Sequence, residues 1–524
     1  MEQREYIQRE YILTVSNPKI WDEVWDILTK DGLGDNYIPS RAITVLNERP
    51  FNDYCAHFNL TDDEADQIRN DPRFSNVELQ ADLRPNVEKT LLVSRPGLYD
   101  KTETSTTANM KNWGLLRCTS VNNPFATNRS INGSYNYSLD GTGVDVIVVD
   151  SGVEPNHPEL AVNADGTGGS RVVDFNWASL GVPGTPESTS IGGYLGDGDG
   201  HGTHVATTVA GNTCGWASGA RIYSLRIFSG YSITSKQWLN DINTDIAFDI
   251  VRAFHLQKVA AGGNVRPTIC TNSWGYSGVY SGITYTMYRG IRYNSTSTSP
   301  DLGQVNFAHP VMVSYVDLAV DNASAAGVIM VGAAGNFGHK IDVPGGLDYD
   351  NYWGDSGGES GGTYYYHRGL SPGCASSMIN VGAIDYTLSE QKASFSETGP
   401  RVDVYSPGST IMAGYANKSY YTHAVEDPRS SATGTRYAYY LNKLAGTSMA
   451  TPQVTGMLAC VLQARPNMTP AQAKEFVIEH SLKNLLQVTG NESYSNLTSL
   501  QGGANRILKT PFTKSRRGKM GRGS

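Results

Sequence analysis

The chain has 524 residues, 56 of them glycine and 30 tyrosine, with a formal net charge of −8. That length exceeds one ordinary domain and permits a large buried core, while the ordinary apolar content argues against wholesale disorder. No apolar run reaches the roughly 20 residues of a membrane-spanning helix, and the charge is uneven, with net −9 over residues 1–82, −5 over 83–507 and +6 over 508–524.

The opening MEQREYIQREYILTV is charged through its first ten residues and forms no apolar run of a secretory signal. The expected setting is therefore intracellular or within a virus particle. YILTV (11–15) has strand composition, and residues 18–32 carry apolar side chains at helical spacing, Ile20, Val24, Ile27 and Leu28, before closing on Gly32. RAITVL (41–46) reads as a second strand. Thr61 with Glu64 three residues on makes a capping box for a helix, and NVELQADL (76–83) alternates as a strand. This β-α-β-α-β order predicts a small α+β domain over 1–83. Residues 84–111, rich in Thr, Ser, Pro and Lys without periodicity, read as a linker.

From residue 144 the pattern changes to short apolar strands separated by helices: 144–149, 220–228, 267–273, 327–336, 378–384 and 402–407. Continuous apolar strands of this kind belong to a parallel sheet covered on both faces. Six cysteines, Cys55, Cys118, Cys214, Cys270, Cys374 and Cys460, lie far apart without a C-x-x-C pair. They read as mostly buried free thiols rather than a zinc or redox site.

Three segments carry chemistry. The strand VIVVD delivers Asp150 to its C-terminal end, where Gly152 lets the chain turn away; alone, such an aspartate is more readily a structural cap. DGDGHGTHVATTVAG (197–211) fails as a calcium loop, since counting from Asp197 puts His201 fifth and Thr208 twelfth. It fails as a helical zinc motif too, because His201 and His204 are three apart, not four. In GTSMATPQVTGMLACVL (446–462) the stripe Val454, Met457, Leu458, Val461, Leu462 marks a helix. Pro452, tolerable only near a helix start, puts Ser448 at the helix N-terminus, where free N–H groups favour developing negative charge.

Taken together, D-S-G, H-G-T-H and G-T-S-M-A-T-P in this order closely resemble the subtilisin-like serine proteases. NWGLLR (112–117), DSGVEPNHPEL (150–160), NSWG (272–275), GAAGN (332–336) and ASFSETGPRVDVYSPG (393–408) extend the resemblance over 112–507. It implies an α/β fold, a three-layer subtilisin-like domain with a mostly parallel central sheet, and a serine endopeptidase acting through an acyl-enzyme. Asp150, His201 and Ser448 would form the triad, with Asn336 as oxyanion donor beside the Ser448 N–H. Ser273, Trp274, Gly275 and Ala333, Ala334, Gly335 would line the primary specificity pocket and pair with extended polypeptide substrates. The alternative for Trp274 is plain core, with the pocket wall preferred. His204 is expected to pack, and Asp197 and Asp199 to lie outside the triad, Asp199 favouring a cationic substrate side chain.

The front domain resembles the inhibitory prodomains of this family, ferredoxin-like in fold, which implies a zymogen whose own prodomain is released by self-cleavage between 83 and 111. No cofactor is required by the resemblance. The loop that holds calcium in many members is missing after 211, so Glu159, aligned with a calcium ligand, reads as surface charge, and calcium is left open without a specific site. Insertions near 276–320, 339–370 and 413–442 are candidates to rim the cleft. The basic tail, 508–524, is a candidate contact for nucleic acid or an acidic partner, or a solvated end. The rival readings are a catalytically silent protein of this fold and a nucleic-acid-bound protein acting through its tail.

Overall fold

In a computed structural model the chain divides into two compact units, Met1–Leu92 and Val93–Ser524. The structure describes residues 7–29, 41–47, 55–79, 112–127, 137–187, 194–232, 237–240, 242, 244–278, 282–294, 309–355, 363–386, 389–416, 425–427, 429–430, 439–488 and 499–511. The predicted linker and most of the basic tail lie outside the described residues.

The front unit runs β1 (Arg9–Val15), α1 (Trp21–Thr29), β2 (Thr44–Asn47), β3 (Cys55–Leu60), α2 (Asp62–Arg69) and β4 (Phe74–Leu79). Its antiparallel sheet has the order β2-β3-β1-β4. The capping box forms as expected: Thr61 Oγ1 accepts from Glu64 N and Glu64 Oε2 from Thr61 N. β3 is an addition to the predicted order. Its alternation was readable, for Ala56, Phe58 and Leu60 are all buried in one cluster with Leu13, Val24 and Ile68, but Ala56 is small and Asn59-Leu60 precede the cap without a turn.

The second unit opens with α3 (Trp113–Arg117) and builds its centre from β5 (Asp145–Asp150), β6 (Val172–Val173), α4 (His201–Ala210), β7 (Arg221–Arg226), the hairpin β8 (Phe228–Ser232) and β9 (Gln237–Asn240), α5 (Thr244–Ala261) and β10 (Thr268–Asn272). After β11 (Ser277–Gly278), β12 (Ile283–Tyr288), β13 (Ile291–Asn294) and β14 (His309–Pro310) come α6 (Ser314–Ala325) and β15 (Ile329–Ala333). The remainder is β16 (Tyr352–Asp355), β17 (Thr363–Tyr365), β18 (Ile379–Ile384), β19 (Val404–Pro407), β20 (Ile411–Tyr415), β21 (Val425–Glu426), β22 (Tyr440–Leu444), α7 (Thr447–Ala464), α8 (Pro470–His480), β23 (Leu482–Lys483) and β24 (Arg506–Ile507).

Among the described residues nine strands form the central sheet, in the order β6-β7-β5-β10-β15-β18-β19-β24-β23, parallel except for the edge pair β23–β24. Both faces are covered, which is why its strands read as unbroken apolar runs. Val146 and Val148 of β5 pack into one core with α4, α7 and α8, while Ile147 and Val149 pack into the other with α5 and α6. The result is the expected three-layer α/β unit.

The insertions have structure of their own. Residues from the first two combine in a four-stranded antiparallel sheet, β13-β12-β16-β17, closed over buried Trp353 and Tyr366. The third holds the sheet β20-β22-β21, whose β22 leads into α7.

Candidate active site

β5, β10 and β15 are neighbours in a parallel sheet, so their C-terminal ends open on one edge, where ligands of such sheets bind. β5 ends in Asp150, β10 runs into Ser273–Gly275, and β15 runs into Ala334–Asn336. Sequence positions more than 100 apart meet by topology alone.

α4 begins with His201, and its Nδ1–H donates to Asp150 Oδ1 at 2.8 Å. Gly202 permits this approach: a Cβ there would stand 2.0 Å from Gly152 O and 3.1 Å from Asp150 Cβ. The Asp150 side chain is 3% exposed and the imidazole 27%, so the ring is open to solvent while the carboxylate it bonds is buried. Burial disfavours the imidazolium, but the Asp150 charge and hydrogen bond, helped by Asp199 and Asp197, outweigh it and raise His201 to about 9.

Asp197 ties the start of α4 to the turn after β5. Its carboxylate accepts from Gly200 N (2.7 Å), Asp199 N (3.2 Å), Thr203 N (2.8 Å), Thr203 Oγ1 (2.6 Å) and Ser151 Oγ (3.0 Å). Burial still pushes it up to about 6. Asp199 Oδ1 accepts from His201 N at 3.2 Å. His204 is fully buried and donates from Nε2 to the Ile411 and Asn442 carbonyls, at 3.0 and 3.1 Å. Burial first, and the neighbouring His201 second, lower it to about 3, so it packs as a neutral ring.

Ser448 is the second residue of α7, where helix N–H groups have no intrahelical acceptor. Its Oγ–H donates to Ser273 O at 2.8 Å, and among the described residues no hydrogen bond joins it to His201. Pro452 lies deeper in α7 than expected, in the second turn, and the reason is local. Lacking an N–H, it leaves the Ser448 carbonyl without a helical donor, and Ser273 Oγ–H fills that position at 2.8 Å. Ser273 therefore holds the serine from two sides.

Asn336 is exposed, and its Oδ1 accepts from Thr447 N (2.8 Å) and Thr447 Oγ1 (2.9 Å), which orients Nδ2. The point a Gly446 Cβ would occupy lies 3.3 Å from Asn336 Nδ2 and 3.5 Å from Ser448 N. Two donors converge on space that only glycine leaves empty. Thr447 was not singled out in the sequence, although it adjoins the serine.

The remaining residues expected on the substrate side divide in two. Gly335 N donates to Thr447 Oγ1 at 3.2 Å, Gly335 O accepts from Glu397 N at 3.1 Å, and Ala334 N donates to Val381 O at 3.0 Å, so Ala333–Gly335 is a wall whose backbone is already engaged. Ser273 is buried and Gly275 exposed. The Trp274 indole stacks on Phe248 at 6.2 Å and meets Phe228 and Tyr276 edge-on, packing against the α5–α6 core. What Trp274 has to offer a substrate is its backbone.

Glu159 requires correction. It is fully buried, not a surface charge: it accepts from Thr213 N (2.8 Å) and Cys214 N (3.3 Å) in the turn after α4 and pairs with the Arg429 guanidinium. Arg429 also pairs with Asp427 at 2.6 Å. The cation comes from the third insertion, 270 positions away, which is why the local sequence concealed it. Among the described residues no group of three or more His, Cys, Asp or Glu is arranged to hold a metal, and no helix is long and apolar enough to cross a membrane. Cys118, Cys214, Cys270 and Cys460 are buried free thiols, and Cys374 is partly buried.

The subtilase family model matches residues 141–503. The chain belongs to the subtilase family. This subtilase is 26% identical over 453 residues to an extracellular serine proteinase of Thermus sp. (strain Rt41A), an alignment covering 86% of this chain and 74% of the relative. It is 24% identical over 452 residues to alkaline serine exoprotease A of Vibrio alginolyticus, covering 86% and 57% respectively. Subtilisin E of Bacillus subtilis (strain 168) is 26% identical over 359 residues, covering 68% and 63%. The crystal structure of a cold adapted subtilisin-like serine proteinase aligns with 76% of this chain and 98% of its own at TM-score 0.46 and 23% identity. As a subtilase the chain is a serine-type endopeptidase with a subtilisin-like α/β fold.

Proposed function

We propose that hydrolysis proceeds through Asp150, His201 and Ser448. The supporting observation is the 2.8 Å bond from His201 Nδ1–H to buried Asp150, which leaves Nε2 as the lone-pair nitrogen facing the cleft. Rotation of the Ser448 hydroxyl from Ser273 O toward that nitrogen activates it. Oγ then attacks the substrate carbonyl while His201 takes the proton. The tetrahedral oxyanion accepts from Asn336 Nδ2–H and Ser448 N–H, the imidazolium protonates the leaving amine, and water attacking along the same route frees the acyl chain. Each step is carried by the chain's own groups. The backbone of Ser273–Gly275 pairs with an extended substrate stretch, which suits loops and unfolded polypeptide.

In this reading the front unit is an inhibitory prodomain removed by self-cleavage between 83 and 111. One observation favours the rival, a silent protein of the same fold: the Ser448 hydroxyl is turned to Ser273 O. A side-chain rotation reverses that, and base, carboxylate and oxyanion donors are all competent, so the active reading is preferred. A fluorophosphonate probe separates the two. Ser448 should label covalently and Ser448→Ala should not; failure of the processed protein to label, or equal labelling of the variant, rejects the triad.

A further inference from the structure

The two walls beside Ser448, Ser273–Gly275 and Ala333–Gly335, each end in glycine, which would ordinarily leave a slot between them. Leu370 occupies it, beside the buried Glu397 that backs the Gly335 wall. A Cβ on Gly275 would meet Leu370 Cδ1 at 2.1 Å, and a Cβ on Gly335 would meet Glu397 Cγ at 2.6 Å and Leu370 Cδ2 at 2.7 Å. The two methyls of one leucine thus face opposite walls, and the residue is only 4% exposed.

Nor can it easily leave. Leu370 O accepts from Cys374 N at 2.8 Å, and the adjacent Ser371 donates from N to Val311 O at 3.1 Å and accepts from Tyr276 N at 3.0 Å. Behind one methyl, a Cβ on Gly373 would lie 3.3 Å from Cδ1. The opposite wall is pinned as well, since Gly335 is bonded through both N and O. A bulky substrate side chain entering this slot would have to displace packed atoms, a cost that well-packed interiors do not absorb.

We propose that Leu370 sets the specificity of this endopeptidase: its isobutyl group fills the slot between the walls, so the enzyme accepts glycine or alanine, and rejects larger side chains, on the acyl side of the scissile bond. The proposal rests on the catalytic reading above, and the experiment separates the two. Peptides identical except for Gly, Ala, Val, Leu, Phe or Lys at that position are assayed for kcat/KM with the processed wild type, Leu370→Gly and Leu370→Ala. The wild type should favour Gly and Ala over Leu and Phe by about 10-fold or more, and each variant should raise the Phe-to-Ala ratio by about the same factor. Should the variants fail to fold, sites cut by wild type in a denatured protein, mapped by mass spectrometry, still decide. Cutting after Leu or Phe as readily as after Ala overturns the assignment, as does an unchanged ratio in a folded variant. A protein that neither cleaves any peptide nor takes up the fluorophosphonate overturns the catalytic reading itself.

Discussion

His201 shows how three carboxylates raise a histidine's affinity for a proton. Burial alone would lower its affinity for a proton, yet Asp150 in contact, with Asp199 and Asp197 behind it, raises it to about 9, above the ~6.5 of a free imidazole. In the proposed mechanism only the neutral ring can take the Ser448 proton, so the sign is definite: activity is lost as pH falls through the raised value. The acid limb of kcat/KM should therefore lie above pH 7 and approach about 9. Asp199→Asn, which removes one flanking charge while keeping an acceptor for the His201 N–H, should move that limb to lower pH. A wild-type limb at pH 6 to 7, the range expected of an unperturbed histidine, would mean the acidic surround is screened. The motif H-G-T-H singles out His201 in the sequence; its acidic surround was not legible, because it depends on how deeply Asp197 is buried.

At the scale of elements, legibility follows the range of the forces involved. The central strands could be read because burial on both faces writes a continuous apolar run into each of them, and the motifs singled out as candidate chemistry stand close to them. Pairings between distant segments left no such trace: Ser273 with Ser448 across 175 positions, Leu370 between two glycine walls, Glu159 with Arg429. The last has a measurable weight. Burial opposes ionisation of Glu159, but Arg429 and the Thr213 donors more than offset it and hold its carboxyl well below the usual carboxylate range. Arg429→Met strands Glu159 and Asp427 as buried anions, and should cost about 3–5 kcal/mol in chemical denaturation at neutral pH. Because the folded-state value is depressed, the stabilisation is present above the unfolded value of ~4.3 and declines as pH falls below it. The gap between wild type and variant should accordingly narrow in acid, and a gap that stays constant would show that lost packing, not charge, accounts for it.

At the scale of the whole molecule, the sign of charge constrains the proposed zymogen. The front, residues 1–82, carries −9 and the body, 83–507, carries −5, so the two repel at long range. Only the basic tail, +6 over 508–524, offers an attraction of opposite sign. Counted with its tail the body, 83–524, sums to +1, so if a cleaved front unit stays bound as inhibitor away from the tail, short-range apolar contact holds it against the repulsion of the −5 segment, and salt strengthens the complex by screening charges beyond about 10 Å. N-terminal sequencing should find wild type shortened within 83–111 while Ser448→Ala stays full length. After cleavage, the front fragment should co-elute with the body more completely in about 0.5 M salt than in about 0.02 M, where the Debye length exceeds 20 Å. The reverse order would assign the attraction to the tail, a distinction that deleting 508–524 makes directly: with the tail removed, any release promoted by salt should disappear.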